Sequence, residues 1–315
     1  MDRTIIDAGG KVSVLDHGGS GPLIVCVHGL EGSAYNWNLV APHLAETHRV
    51  VAPDLSGFGY TDPIDDDSTV ERNAELIADV IDYYGGPAML IGNSMGGLIS
   101  ILTAERYPDK VSQVVLIDPA APVFSWASVS PAASARLSVP LIPFLGPRLI
   151  EAYKMRITPE AGVHEALEFV TADVSRIDPS VYDRALEIAQ LRRLQPWATD
   201  ALIQATNSIA PYVVRKGRFA KLIHKLSQPT LLVHGTQDEL IHIEAAQWIS
   251  RQRPDWTVAY LEGVGHVPML EVPHRFLAVF DAWEEALRDP QTAIHHPQSE
   301  VRKRKADGGS QKADS

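Results

Sequence analysis

The 315-residue chain is 45% hydrophobic and 21% charged, an ordinary globular composition with enough length for a sizeable core. A formal net charge of −11 disfavours a nucleic-acid-binding surface and points away from polyanionic partners. Cys26 is the only cysteine, so no intramolecular disulfide can form. Its apolar run, Leu23-Ile24-Val25-Cys26-Val27, predicts a buried structural thiol.

The N-terminal residues lack the charged start and apolar stretch of a secretory signal, and no window approaches the roughly 18 apolar residues of a membrane span. A cytoplasmic protein without stable membrane insertion is expected. Strands are predicted at 11–15, 23–27, 49–53, 88–91, 111–117, 230–233 and 256–261. Most lack alternation, as strands buried on both faces do. Helices are predicted at 36–44, 70–84, 95–106, 243–251 and 274–287, with Pro108, Pro254 and Pro290 just beyond three of their ends. The order predicts an α/β architecture, a mostly parallel central sheet with helices on both faces.

Between about residues 119 and 226 the strand-like runs give way to proline-punctuated helical text. Thr158-Pro159-Glu160 and Asp178-Pro179-Ser180 each place a capping side chain before a first-turn proline. The expected organisation is a core of residues 1–118 and 227–288, a helical cap inserted at 119–226, and a polar, disordered tail at 289–315 containing Arg302-Lys303-Arg304-Lys305.

The strongest chemical signal is Gly92-Asn93-Ser94-Met95-Gly96-Gly97, directly after an apolar run and directly before a helical pattern. A nucleophile on a sharp strand-to-helix turn needs small residues two before and two after it, and the helix N-terminus favours developing negative charge. A serine hydroxyl also needs a base. His266, in Gly263-Val264-Gly265-His266-Val267-Pro268 after the last strand, is the candidate. His28 suits support of a neighbouring loop, His234 lies nearer the acid, and His295 and His296 fall in the tail. The orienting carboxylate is assigned to Asp238, after strand 230–233, ahead of the adjacent Glu239. Asp118, ending strand 111–117, is the second candidate. Gly57 and Gly59 lack the full dinucleotide fingerprint, so a structural turn is expected there.

Taken in order, the His28–Ser33 loop, the Asp54–Gly59 turn, the Ser94 elbow, the Asp238 loop and the His266 loop resemble the α/β-hydrolase superfamily over about residues 5–287. The order Ser94, Asp238, His266 is the order that fold uses. The resemblance implies the α/β-hydrolase fold and acyl-enzyme chemistry with water as second nucleophile. It implies no cofactor and no metal. It also implies an oxyanion hole, assigned to the backbone amides of Leu30 and Met95.

Relatives with aspartate at the nucleophile position open epoxides or displace halide, and Ser94 argues against both. The leading expectation is hydrolysis of a small apolar carboxylic ester or thioester, with Phe124, Trp126, Leu141, Ile142, Phe144, Tyr153 and Trp197 as candidate acyl-pocket residues. A carbon–carbon bond (meta-cleavage product) hydrolase is the alternative, because the elbow is similar to that group. The loop His28-Gly29-Leu30-Glu31-Gly32-Ser33 and the segment Val267-Pro268-Met269-Leu270-Glu271 depart from it. A non-catalytic ligand receptor on the same fold is a third reading.

Overall fold

The computed structural model describes residues 2–122 and 139–289. Among them the strands are β1 (Asp2–Asp7), β2 (Lys11–Gly18), β3 (Leu23–Val27), β4 (Arg49–Pro53), β5 (Ala88–Asn93), β6 (Val111–Ile117), β7 (Thr230–Gly235) and β8 (Thr257–Leu261). They form one sheet in the order β1-β2-β4-β3-β5-β6-β7-β8. β2 runs antiparallel to β1 and β4, and from β4 through β8 the pairings are parallel. Helices lie on both sides of the sheet.

Every residue of β3, β5 and β7 is buried, which is why residues 23–27, 88–91 and 231–233 within them read as unbroken apolar runs. Cys26 in β3 is fully buried, and burial pushes its thiol well above the usual range, so it is a packing residue. β1 is an addition to the predicted strands. Its residues are mostly exposed and polar, so no apolar run marks it, and pairing with β2 from Asp2↔Asp16 to Asp7↔Lys11 holds it at the sheet edge.

Helices α1 (Val70–Tyr84) and α2 (Met95–Arg106) follow β4 and β5. Thr69 caps α1 by accepting from Arg72 N–H. α2 is buried from Met95 through Ala104 and so carries no polar face. The helix expected at 36–44 is instead a 3-10 turn, Ala34–Trp37, and a single α-turn, Ala41–Leu44. Pro42, which has no N–H to continue a preceding helix, sits in the first turn of the second piece.

Between β6 and β7 come α3 (Leu145–Arg156), α4 (Pro159–Val170), α5 (Pro179–Leu194), α6 (Ala198–Val214) and α7 (Lys216–Ile223). Thr158 and Asp178 cap α4 and α5 by accepting from Ala161 and Ser180 amides, as their sequences predict. α8 (Ile243–Gln252) follows β7, and α9 is Pro273–Arg288. The chain divides into two compact units, residues 1–277 and 278–315. In the second, the Phe280 and Trp283 ring centroids are 6.3 Å apart. No helix among the described residues is long and apolar enough to cross a membrane.

Of the expected acyl-pocket residues, Leu141, Ile142, Phe144 and Tyr153 are solvent-exposed, and Trp197 is half-buried. Phe124, Trp126, His295, His296 and the expected tail from residue 290 on lie outside the described residues.

Candidate active site

β5 ends at Asn93, and Ser94 turns the chain into α2 with φ 55° and ψ −118°. A non-glycine residue with positive φ is strained and persists only where its surroundings hold it. Here Ser94 N–H donates to Ile117 O at 3.0 Å, and Ser94 O accepts from Ala120 N–H at 2.9 Å and Gly97 N–H at 3.0 Å. A Cβ on Gly96 would overlap the carbonyls of Val27 and His28, and one on Gly92 would overlap Gly96 O and Ser100 Oγ. The two glycines flanking the elbow are therefore steric requirements of close backbone approach. Met95 is the first residue of α2, so its N–H has no intrahelical acceptor.

Asp238 and His266 come together although they arrive on loops after different strands. His266 Nδ1 lies 2.7 Å from Asp238 Oδ2, and both side chains are buried. Leu240 N–H and Ile241 N–H donate to Asp238 Oδ1 at 2.8 and 2.9 Å. Burial opposes the Asp238 charge, but His266, His234 and the Ile241 amide outweigh it and hold the carboxyl below its usual range. An ionised Asp238 only accepts, so Nδ1 carries a proton, and in the neutral imidazole Nε2 then presents a lone pair. That Nε2 is buried and has no hydrogen-bond partner among the described residues. Glu239, the sequence neighbour, is exposed.

Asn93 ties the histidine to the elbow. Its amide nitrogen donates to His266 O at 3.0 Å and to Ile117 O at 3.1 Å, across 173 positions of sequence in the first case. Ser94 is buried to 9% exposure. The loop after β3 abuts the same turn, since a Cβ on Gly29 would sit 3.2 Å from Ser94 Cβ. Leu30 follows, half-buried. His28 supports this loop, with Nδ1–H donating to Gly29 O at 2.8 Å and Nε2 accepting from Leu55 N–H at 3.1 Å. Burial lowers its basicity and keeps it neutral. Glu31, at φ 60°, pairs with Arg192 of α5 at 2.8 Å.

The Asp54–Gly59 segment is a structural turn. Fully buried Asp54 accepts from Ala34 N–H at 2.7 Å, Tyr60 N–H at 3.1 Å and the Arg3 guanidinium at 2.5 Å. Arg3 in turn stacks on the rings of Tyr35 and Tyr60, with centroid distances of 4.7 and 4.2 Å.

Two further groups stand close by, Glu271, which carries no motif in the sequence, and Asp118. Glu271, fully buried, accepts from Gly265 N–H at 2.8 Å, Ala172 N–H at 3.1 Å and Asp173 N–H at 3.2 Å, and pairs with Arg176 at 2.9 Å. His266 N–H donates to Val170 O at 2.8 Å. The histidine loop is thereby laced to the segment after α4. Asp118, at φ 43°, lies beside His234 and Asp238, and the three offer ligating atoms within 4.8 Å of one another. Both Asp238 oxygens already accept hydrogen bonds, whereas His234 Nδ1 and Asp118 Oδ2 are buried without a hydrogen-bond partner among the described residues.

The arrangement offers a strained hydroxyl at a helix N-terminus, an imidazole with a free lone pair and a buried carboxylate behind it. Known proteins share the frame. A methyl ester esterase for pimeloyl-[acyl-carrier protein] from Nitrosomonas europaea is 29% identical over 268 residues, 84% of this chain and 96% of that protein. A 2-hydroxymuconate semialdehyde hydrolase from a Pseudomonas species is 27% identical over 291 residues, 89% and 92% of the two chains. The solved structure of a thermophilic esterase from Thermogutta terrifontis superposes with a TM-score of 0.68 at 23% identity, covering 90% of this chain and 98% of that one. Residues 22–273 match the family described by the alpha/beta hydrolase fold, and this chain belongs to that family, whose relatives here are hydrolases.

Proposed function

We propose that this protein is a serine hydrolase that cleaves a small carboxylic ester or thioester through an acyl-enzyme on Ser94. His266 is the general base and Asp238 orients it. The carrying observation is the 2.7 Å bond from His266 Nδ1 to Asp238, which leaves Nε2 unpartnered in a loop tied to the Ser94 elbow.

As Ser94 Oγ bonds to the substrate carbonyl carbon, His266 Nε2 takes its proton and the carbonyl electron pair moves onto oxygen. The amides of Leu30 and Met95 donate to that oxyanion, each contributing about 2.7–4 kcal/mol to the transition state. Collapse breaks the bond to the leaving group, which takes the proton from Nε2. Water then repeats the sequence and frees Ser94. Asp238 keeps Nδ1 protonated and stabilises the imidazolium. Helices α3 to α7 act as a cap over the site, and side chains such as Trp197 select a small apolar acyl group.

The Nitrosomonas relative, named for a methyl ester substrate, supports the ester reading. The Pseudomonas relative supports the second reading, a carbon–carbon bond hydrolase using the same three residues. Wild type and Ser94→Ala are compared on p-nitrophenyl esters, a thioester and a ring-opened dienoate, with fluorophosphonate labelling alongside. Ester turnover and labelling by wild type alone are expected. Turnover of the dienoate without the esters selects the second reading. Equal ester turnover by both proteins overturns Ser94 as nucleophile, and an unlabelled wild type favours a receptor.

A further inference from the structure

A second buried carboxyl sits behind the Asp238–His266 pair, and hydrogen-bond accounting fixes its protonation. His234 Nε2 lies 2.8 Å from Ile241 O, a pure acceptor, so Nε2 carries a proton. In a neutral imidazole, Nδ1 is then a lone pair. That Nδ1 is buried, has no hydrogen-bond partner and lies 3.3 Å from Asp118 Oδ1. Asp118 Oδ1 also accepts Gly235 N–H at 2.9 Å, and Oδ2 is buried without a partner. An ionised Asp118 facing a neutral His234 would oppose lone pair to lone pair in a fully buried site, beside the Asp238 charge. A proton in that contact removes the opposition.

We propose that Asp118 is a neutral carboxylic acid that donates to His234 Nδ1 and acts as a positioning residue for Asp238. The connection is continuous. Asp118 O–H donates to His234 Nδ1, His234 Nε2–H to Ile241 O, Ile241 N–H to Asp238 Oδ1, and His266 Nδ1–H to Asp238 Oδ2. The other assignment, imidazolium and carboxylate, would bury two charges in place of none. Burial and then the Asp238 charge push Asp118 well above the usual carboxylate range, while burial lowers His234, so the proton rests on the acid.

The charged and titratable groups facing Asp118 are His234 and Asp238 from β7 and its loop, with Glu271 as a further negative charge beyond them. A proton on Asp118 leaves the Asp118–Asp238 pair with one charge rather than two. The base at 266 therefore faces the charge of Asp238 without that of Asp118 added beside it.

The effect on His266 rests on the proposed Ser94 mechanism, whereas the proton on Asp118 does not. Infrared difference spectra of the full chain at neutral pH are expected to hold the carbonyl stretch of a buried protonated carboxylic acid, absent in Asp118→Asn. Asparagine tolerates the positive φ of this position, so the variant keeps the backbone. On p-nitrophenyl acetate, Asp118→Asn should lower kcat roughly two- to tenfold, the worth of one hydrogen bond. The acidic limb of kcat/KM should stay within about half a pH unit, because the charge is unchanged. No such band in wild type, or a limb displaced downward by about one pH unit or more, would overturn the proposal. A band without any esterase activity keeps the Asp118 proton and refutes the ester mechanism alone.

Discussion

Glu271 and Gly265 are joined by a 2.8 Å hydrogen bond from the glycine amide to the buried carboxylate, one residue before His266. The same carboxylate receives two amides from residues 172 and 173 and the Arg176 guanidinium. A glutamine there keeps one acceptor and turns a donor toward N–H groups. Glu271→Gln should cost about 2–4 kcal/mol of stability by leaving buried donors unmatched, read by urea unfolding. It should also lower kcat more than it raises KM. Arg176→Ala, which removes a half-exposed partner, should cost no more than about 1 kcal/mol. Equal losses in both variants would place the stabilisation in the ion pair, against the reading of an amide clamp.

Asp238→Asn preserves shape and removes the charge. With an amide behind it, Nδ1 of His266 is no longer held in the proton-bearing form. The expected result is a fall in kcat of about 10⁴-fold with little change in KM. Steady-state kinetics on a p-nitrophenyl ester measures it, and a loss under about tenfold would remove Asp238 from its assigned role.

Gly96→Ala tests the elbow. The new methyl would meet two backbone carbonyls on β3 and its loop, and neither can swing aside as a flexible side chain could. Destabilisation of about 3 kcal/mol or more is expected from overpacking. An unfolding midpoint equal to that of wild type would show that the α2 start has more room than its contacts indicate.

Acid should weaken the fold at a mild pH. His17 is held down to about 4 by burial, with the N-terminal charge adding to it, and burial also lowers His28 and His234. In the unfolded chain these groups take protons near 6.5. The unfolded state then binds more protons, so stability falls as pH drops below about 6.5. His17 alone accounts for up to about 3 kcal/mol by pH 4, less for its partial exposure. Asp118 has the opposite sign, because its contribution is complete below the usual carboxylate pKa and is lost as pH rises. Urea unfolding at pH 7 and pH 5 measures the net slope, which His17→Gln should flatten. A slope the same in both proteins would exclude His17 as a source.

Local chemistry made much of this readable in advance. The buried parallel strands announce themselves because two-sided burial admits only apolar residues, and the elbow because steric crowding admits only small ones at positions 92 and 96. Asp238 and His266 could be chosen because each follows a strand in a glycine-bearing loop. Glu271 could not, since a carboxylate that serves backbone amides leaves no pattern in the residues it serves. β1 was equally silent, as an edge strand of charged and polar residues. Asp118 drew notice as a rival acid, and its partnership with His234 emerges only where β6 and β7 lie side by side.

Asn93 reaches His266 across 173 residues, and β8, which precedes the histidine, is the last strand of the sheet in chain order. Under the proposed mechanism, therefore, synthesis delivers Ser94 well before the residues that activate it. On that mechanism, a fragment that stops before residue 266 holds the nucleophile without its base.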